Sequence, residues 1–188
     1  MILDLLRHGE TERGGGFRGR IDDALTGHGW AQMRAAVGDA APWQGVVSSP
    51  LQRCAAFADE LASRHGLPLR LERGLRELDF GAWEGRSAAE LWATESEALS
   101  RFWNDPYAFT PPEGETLVDF EARVLGAVAG LYRQFAGRHL LLVTHGGVMR
   151  LLLARARGLP RAALLQVEVG HAALQRLRVD ERLTLHED

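Results

Sequence analysis

Along this chain, short solid apolar runs alternate with longer stretches in which apolar residues recur every three or four positions. "MILDLL" (1–6) is apolar apart from Asp4 and runs into a glycine-containing loop, which predicts a buried strand. "LTGHGWAQMRAAVGDA" predicts a helix with Thr26 as its cap. "QGVVSS" (44–49) predicts a second strand. Pro50 then opens a helix to about Arg64, with Leu51, Cys54, Ala55, Ala58, Leu61 and Ala62 on one face. "LPLRLE" (67–72) alternates as a third strand would. A helix is expected over 87–103, where Ser87 and Glu90 have capping-box spacing, and another over 116–135, striped by Leu117, Phe120, Val124, Val128 and Leu131. "HLLLVTH" (139–145) is the most apolar strand candidate, and Gly146-Gly147 then open a helix to about Arg157. "ALLQVEVG" and "HAALQRLRV" read as two closing strands, a hairpin around Gly170.

Strands alternating with helices predict an α/β fold: a three-layer sandwich with a mainly parallel central sheet flanked by helices. With no repeat, low-complexity tract or linker, residues 1–188 read as one domain. The section from about 79 to 115 is rich in aromatics, including Trp83, Trp92, Trp103 and Tyr107, and is expected to form a small helical lid.

Composition narrows the chemistry. The 188 residues are 46% hydrophobic, enough for a sizeable core, and the formal charge of −3 gives no reason to expect nucleic acid or a membrane surface as partner. All 22 basic residues are Arg, which excludes a phosphate loop built on lysine and any Schiff-base lysine. The single cysteine, Cys54, allows no intrachain disulfide. The N-terminus lacks the apolar stretch of a signal peptide, so a soluble cytoplasmic protein is expected. Nothing fixes the oligomeric state, and a homodimer stays open.

Ligands of open α/β sheets bind beyond the carboxyl ends of the strands. Arg7-His8 follow the first strand. "SSPLQR" follows the second and puts Arg53 in the first turn of a helix. His145-Gly146-Gly147 follow "LLLVT" and open another helix, whose unpaired N–H groups favour an anion. Arginines, histidines and a helix start on one rim describe a phosphoryl site. Taken alone, each has a plainer reading as a solvated or turn residue. Glu77, in "LRELDFGAWEG" (75–85), is either a general acid near that phosphate or a surface carboxylate paired with Arg73 or Arg76. Cys54 lacks the Cys-x5-Arg pattern, since Glu60 stands where the arginine would be, and reads as a core residue. His28, His65, His139, His171 and His186 have no metal spacing. "GGGFRG" (14–19) matches a dinucleotide pattern in the wrong context, because Arg7–Arg13 separate it from its strand and no helix start follows.

"LLRHGET", "VSSPLQRC", "LRELDFGAWEG" and "LLVTHGGVMR" resemble, in order, the signature segments of the histidine phosphatase superfamily, also called phosphoglycerate mutase-like. The resemblance covers residues 2 to about 155. It implies a cofactor-free, metal-free phosphatase with His8 as nucleophile, Glu77 as proton donor, and Arg7, Arg53 and His145 holding the phosphate of a small phosphate ester. Family members often carry Asn where this chain has Gly14; Arg18, Arg20 or glycine N–H groups are the expected substitutes, with Arg18 favoured. The Gly146 N–H is expected at the phosphate. The short chain favours hydrolysis over mutase chemistry, and the opening "RHGET…GGGFRGRIDDALT" looks most like alpha-ribazole phosphatases of cobalamin synthesis. The alternatives are a phosphoglycerate mutase, a broad-specificity phosphatase, or a non-catalytic phosphate-binding module.

Overall fold

The computed structural model describes residues 1–187. Among these residues six strands form one sheet, β1 (Ile2–Arg7), β2 (Gly45–Ser48), β3 (Leu69–Leu71), β4 (His139–Thr144), β5 (Leu174–Val179) and β6 (Leu185–Glu187), in the order β3-β2-β4-β1-β5-β6. β3, β2, β4 and β1 run parallel; β5 is antiparallel to β1, and β6 to β5. The helices are α1 (Gly27–Val37), α2 (Gln52–His65), α3 (Ala88–Asn104), α4 (Leu117–Phe135) and α5 (Gly146–Ala156). Among the described residues no helix is long and apolar enough to cross a membrane.

The solid apolar runs are explained by burial on both faces, as parallel strands under helices require. Leu3, Leu5, Leu140 and Leu142 point to one side, into a cluster with Phe120 and Val124 of α4 and Met149 and Leu152 of α5. Leu6, Leu141 and Val143 point to the other, against Met33 of α1 and Phe57 and Leu61 of α2. Local signals set several helix starts. The Thr26 side chain accepts from Gly29 N, and Ser87 and Glu90 form the expected capping box.

Two expectations fail. Residues 163–170 form no strand: Arg161–Gln166 is a 3-10 turn, and the closing hairpin is β5–β6, not a hairpin around Gly170. Val167 and Val169 are buried and alternate like a strand, but their carbonyls accept from Arg150 Nε (3.0 Å) and Arg7 Nη1 (2.6 Å) instead of from a neighbouring strand. The third strand is only three residues long.

The 79–115 section contributes a 3-10 turn (Gly81–Trp83) and α3, kinked at Glu95. Its aromatics divide. Trp83 is fully buried, stacks on Phe109 and donates from Nε1 to Glu95 Oε2 (3.0 Å). Tyr107 donates to Glu121 Oε2 (3.0 Å) under the Arg161 guanidinium. Trp92 and Trp103 are exposed and stacked on each other.

Candidate active site

β1 and β4 are parallel neighbours, with Arg7 opposite Thr144. The residues that follow each strand are therefore brought side by side. His8 N donates to Thr144 O (3.0 Å), and the His8 and His145 rings lie 5.4 Å apart, edge to face. β2, on the other side of β4, ends at Ser48, and α2 returns Arg53 to the same spot. Arg53 Nε donates to His145 Nδ1 (3.3 Å). A cavity of about 580 Å³ opens here, lined at its base by Arg7, His8, Arg18, Arg53, Glu77 and Arg150.

The histidine hydrogen bonds fix both tautomers. His8 Nδ1 faces the Gly9 carbonyl at 2.8 Å and must carry the proton, which leaves the Nε2 lone pair free. Burial, reinforced by the nearby Arg53 and Arg7 charges, lowers the His8 pKa from 6.5 to about 3, so the ring is neutral. His145 is fully buried. Its Nδ1 accepts from Arg53, so Nε2–H donates to Ser49 Oγ (2.7 Å), and burial together with the Arg53 charge holds its pKa well below the ordinary value. Cys54 packs beneath it with Sγ 3.7 Å from His145 Nε2; burial pushes the thiol pKa far up, as befits a core residue.

Glu77 reaches the rim from the segment after β3. Oε2 accepts from Gly147 N at the start of α5 (2.9 Å), and Oε1 from Leu78 N (3.0 Å). A Cβ on Gly147 would lie 2.2 Å from Oε1, so only glycine allows this approach. Arg123 of α4 holds the segment, donating to the carbonyls of Gly74 (2.9 Å), Arg76 (2.7 Å) and Glu77 (2.8 Å) while paired with Glu115. Glu77 is thus not the surface partner of Arg73 or Arg76.

Four strand-end and loop segments converge here in the order that the sequence motifs required, and a family model described as histidine phosphatase superfamily (branch 1) matches residues 3–185. The chain belongs to the histidine phosphatase superfamily. It is 36% identical over 183 residues to a bifunctional protein of Mycobacterium tuberculosis, covering 95% of this chain but 47% of that protein, so it spans about half the length of that relative. It is 30% identical over 186 residues to the adenosylcobalamin/alpha-ribazole phosphatase of Escherichia coli, covering 97% of this chain and 92% of that one. A solved mycobacterial glucosyl-3-phosphoglycerate phosphatase with VO3 superposes with a TM-score of 0.87 at 31% identity, over 100% of this chain and 96% of that one.

Against that family background, the Gly14 departure acquires a structural account. Arg18 Nη2 donates to the carbonyls of Arg13 (2.7 Å) and Gly15 (3.1 Å), and Nη1 to Gly14 O, to Thr11 Oγ1 (3.0 Å) and to Asp23 Oδ2 (3.1 Å). Arg18 therefore braces the glycine loop, with its terminal donors committed to the chain rather than held ready for phosphate. Arg20 pairs with Asp79 at the surface (3.7 Å). Arg53 is also heavily engaged, donating to Ile21 O (2.6 Å) and Gly19 O (3.1 Å) and facing Asp23 Oδ1 at 3.5 Å. Gly146 lies against Arg7 and Arg150.

Several participants escaped the sequence reading. Ser49 stands in the quoted "SSPLQR" but gave no sign of contacting His145. His171, read as structural or solvated, lines the cavity with its ring 5.8 Å from His8. Arg150 follows His145 by five residues and lines the cavity too. Glu84 accepts from the N–H groups of Gly19, Arg20, Ile21 and Phe80 and clamps the loop that carries Arg18. Only helical phase, for Arg150, could have signalled any of these.

Proposed function

We propose that this protein is a phosphomonoester hydrolase that works through a phosphohistidine. The observation that carries the reading is the neutral His8 with a free Nε2, set among guanidinium groups at the base of a cavity and faced by Glu77 at a helix start. The His8 Nε2 lone pair attacks phosphorus as the ester P–O bond breaks, and Glu77 relays a proton from solvent to the leaving alkoxide. Arg7 and Arg53 offset the negative charge spread over the equatorial oxygens. Water then attacks the phosphohistidine and passes a proton to the Glu77 carboxylate. The P–N bond breaks, and phosphate leaves with His8 neutral again. His145 supports the reaction from below, in contact with Arg53 and the His8 ring, rather than from the cavity wall.

The outer wall bears on the leaving group. Phe17, Phe80, Phe102, Trp103, Leu117 and Phe120 line it, and Trp103 is backed by Trp92. An apolar, aromatic wall suits an ester with a planar aromatic portion, and alpha-ribazole 5′-phosphate is the substrate we favour. A phosphoglycerate would need cations along the wall for its carboxylate, which makes mutase chemistry or a general phosphatase the second reading. The aromatic contact falls to Trp103, with half-buried Phe17 and Phe80 on the same lining; Trp83, Phe102 and Tyr107 are committed to the fold.

The test is kcat/KM on alpha-ribazole 5′-phosphate, p-nitrophenyl phosphate and 3-phosphoglycerate without added metal, with acid-quench trapping of phosphohistidine. A preference for the first of about a hundredfold, roughly 2.7 kcal/mol, is expected. Comparable rates on all three would keep the mechanism and remove the substrate. His8→Ala is expected to abolish both turnover and trapping, and undiminished activity in it would remove the mechanism.

A further inference from the structure

Four arginines line the base of the cavity, and their donors are unequally occupied. Arg53 spends its donors, and Arg18 both of its Nη groups, on backbone carbonyls, Asp23, Thr11 and His145, although Arg18 Nε is buried without a partner. Arg150 and Arg7 do not. Arg150, on the first turns of α5, is fixed through Nε to Val167 O (3.0 Å), and among the described residues its two Nη groups have no hydrogen-bond partner. Arg7 is fixed through Nη1 to Val169 O (2.6 Å), and its Nε is buried without a partner. The two guanidinium groups flank one point: a Cβ on Gly146 would stand 3.2 Å from Arg150 Nη1 and 3.3 Å from Arg7 Nε.

Two like charges held together on the lining of one cavity beside a helix N-terminus, the Arg150 Nη donors unfilled, are stable neighbours when an anion comes between them. Glu77 is the carboxylate that acts on Arg7, but its oxygens are taken by the N–H groups of Gly147 and Leu78. We propose that Arg150 is a phosphate-binding residue, taking phosphoryl oxygens jointly with Arg7. This rests on the reading of the cavity as a phosphoryl site and adds to it Arg150, the last residue of "LLVTHGGVMR", to which the resemblance gave no role. Fixing each arginine by one N–H to the 167–169 backbone leaves its remaining donors pre-aimed, so little rotamer freedom is lost on binding.

The probe is inorganic phosphate, titrated calorimetrically into wild type, Arg150→Met and Arg150→Lys, beside kcat/KM for p-nitrophenyl phosphate. Arg150→Met is expected to weaken phosphate at least tenfold and to lower kcat/KM at least as much. Arg150→Lys, which keeps the charge, is expected to recover most of the phosphate affinity. A structural role alone would leave lysine no better than methionine. Phosphate bound by Arg150→Met within twofold of wild type would overturn the proposal, as would a wild type that binds no phosphate. Should Arg150→Met not fold, Arg150→Gln takes its place, and phosphate bound by Arg150→Gln within twofold of wild type would overturn the proposal as well. Turnover of p-nitrophenyl phosphate by wild type with Arg150→Met unaffected would sink Arg150 and keep the catalytic reading. Phosphate binding that depends on Arg150 in a wild type that hydrolyses no ester would sink the catalytic reading and keep Arg150.

Discussion

His8 and His145 show what a buried imidazole demands of its surroundings. Each ring has a proton fixed on one nitrogen by a neighbour, and each is surrounded by charges that oppose a second. The unfolded chain meets no such opposition and takes up those protons near pH 6.5, whereas folded His8 does so only at about 3. Between these values the unfolded state binds more protons, so stability falls as the pH falls. From pH 6.5 to 4.5 the loss assigned to His8 is about 2 kcal/mol. His8→Asn is expected to be free of that share, so its urea-unfolding free energy should decline less steeply than that of wild type over this range. Parallel declines would mean that His8 is protonated as readily folded as unfolded. The sequence announced His8, Arg7, Arg53 and His145 because each ends or directly follows a strand or opens a helix, where chain position predicts spatial position. It was silent on Arg150 and His171, since a helix face and an irregular segment show their direction only after the sheet is assembled.

The loop-to-helix junction at α5 carries a second constraint. Gly147 N donates to Glu77, and the absence of a side chain on Gly147 lets the carboxylate approach. Gly147→Ala would force Glu77 away while leaving His8, Arg7 and Arg53 in place. A displacement of about 1 Å in a proton donor costs on the order of a hundredfold when the leaving group needs the proton, and far less when it does not. Gly147→Ala is therefore expected to lower kcat for an alkyl phosphate at least tenfold more than kcat for p-nitrophenyl phosphate. Equal slowing of both would separate Glu77 from leaving-group protonation. Helix starts with their own chemistry, such as Ser87-Glu90 and Thr26, were legible because the signal is complete within four residues. The 163–170 segment was not. Its alternation is real, but whether alternating residues join a sheet depends on who accepts or donates along the backbone, and here two distant arginines take the carbonyls.

The order of the strands was the part least open to reading, because nothing local to β1 says that it lies between β4 and β5. Asp4, the one charge in an otherwise apolar run, is the residue that this placement explains. Trp43 Nε1, ahead of β2, donates to it at 2.8 Å. His139 Nε2 on β4 lies 2.9 Å away, and Arg176 Nε on β5 donates at 2.7 Å. One buried carboxylate thus ties the first strand to both neighbours and to the segment that enters a third, closing the sheet across contacts of long sequence separation. Burial alone would raise the Asp4 pKa, but the hydrogen bonds from Arg176, Trp43 and His139 outweigh it and hold the pKa below 3.8. Its contribution is then fully present above that value and lost as the pH falls below it. Asp4→Asn keeps the shape and removes the charge. It is expected to cost about 2–3 kcal/mol in urea unfolding at pH 7, with the deficit shrinking toward pH 3. Because Asp4 lies a strand's length from His8 and touches none of the cavity residues, kcat should stay within about twofold of wild type. A deficit that persists undiminished at pH 3 would show that packing, not charge, holds the strands at this point. A collapse of kcat would mean that the sheet register at Arg7 depends on the clasp, making Asp4 a positioning residue for the site.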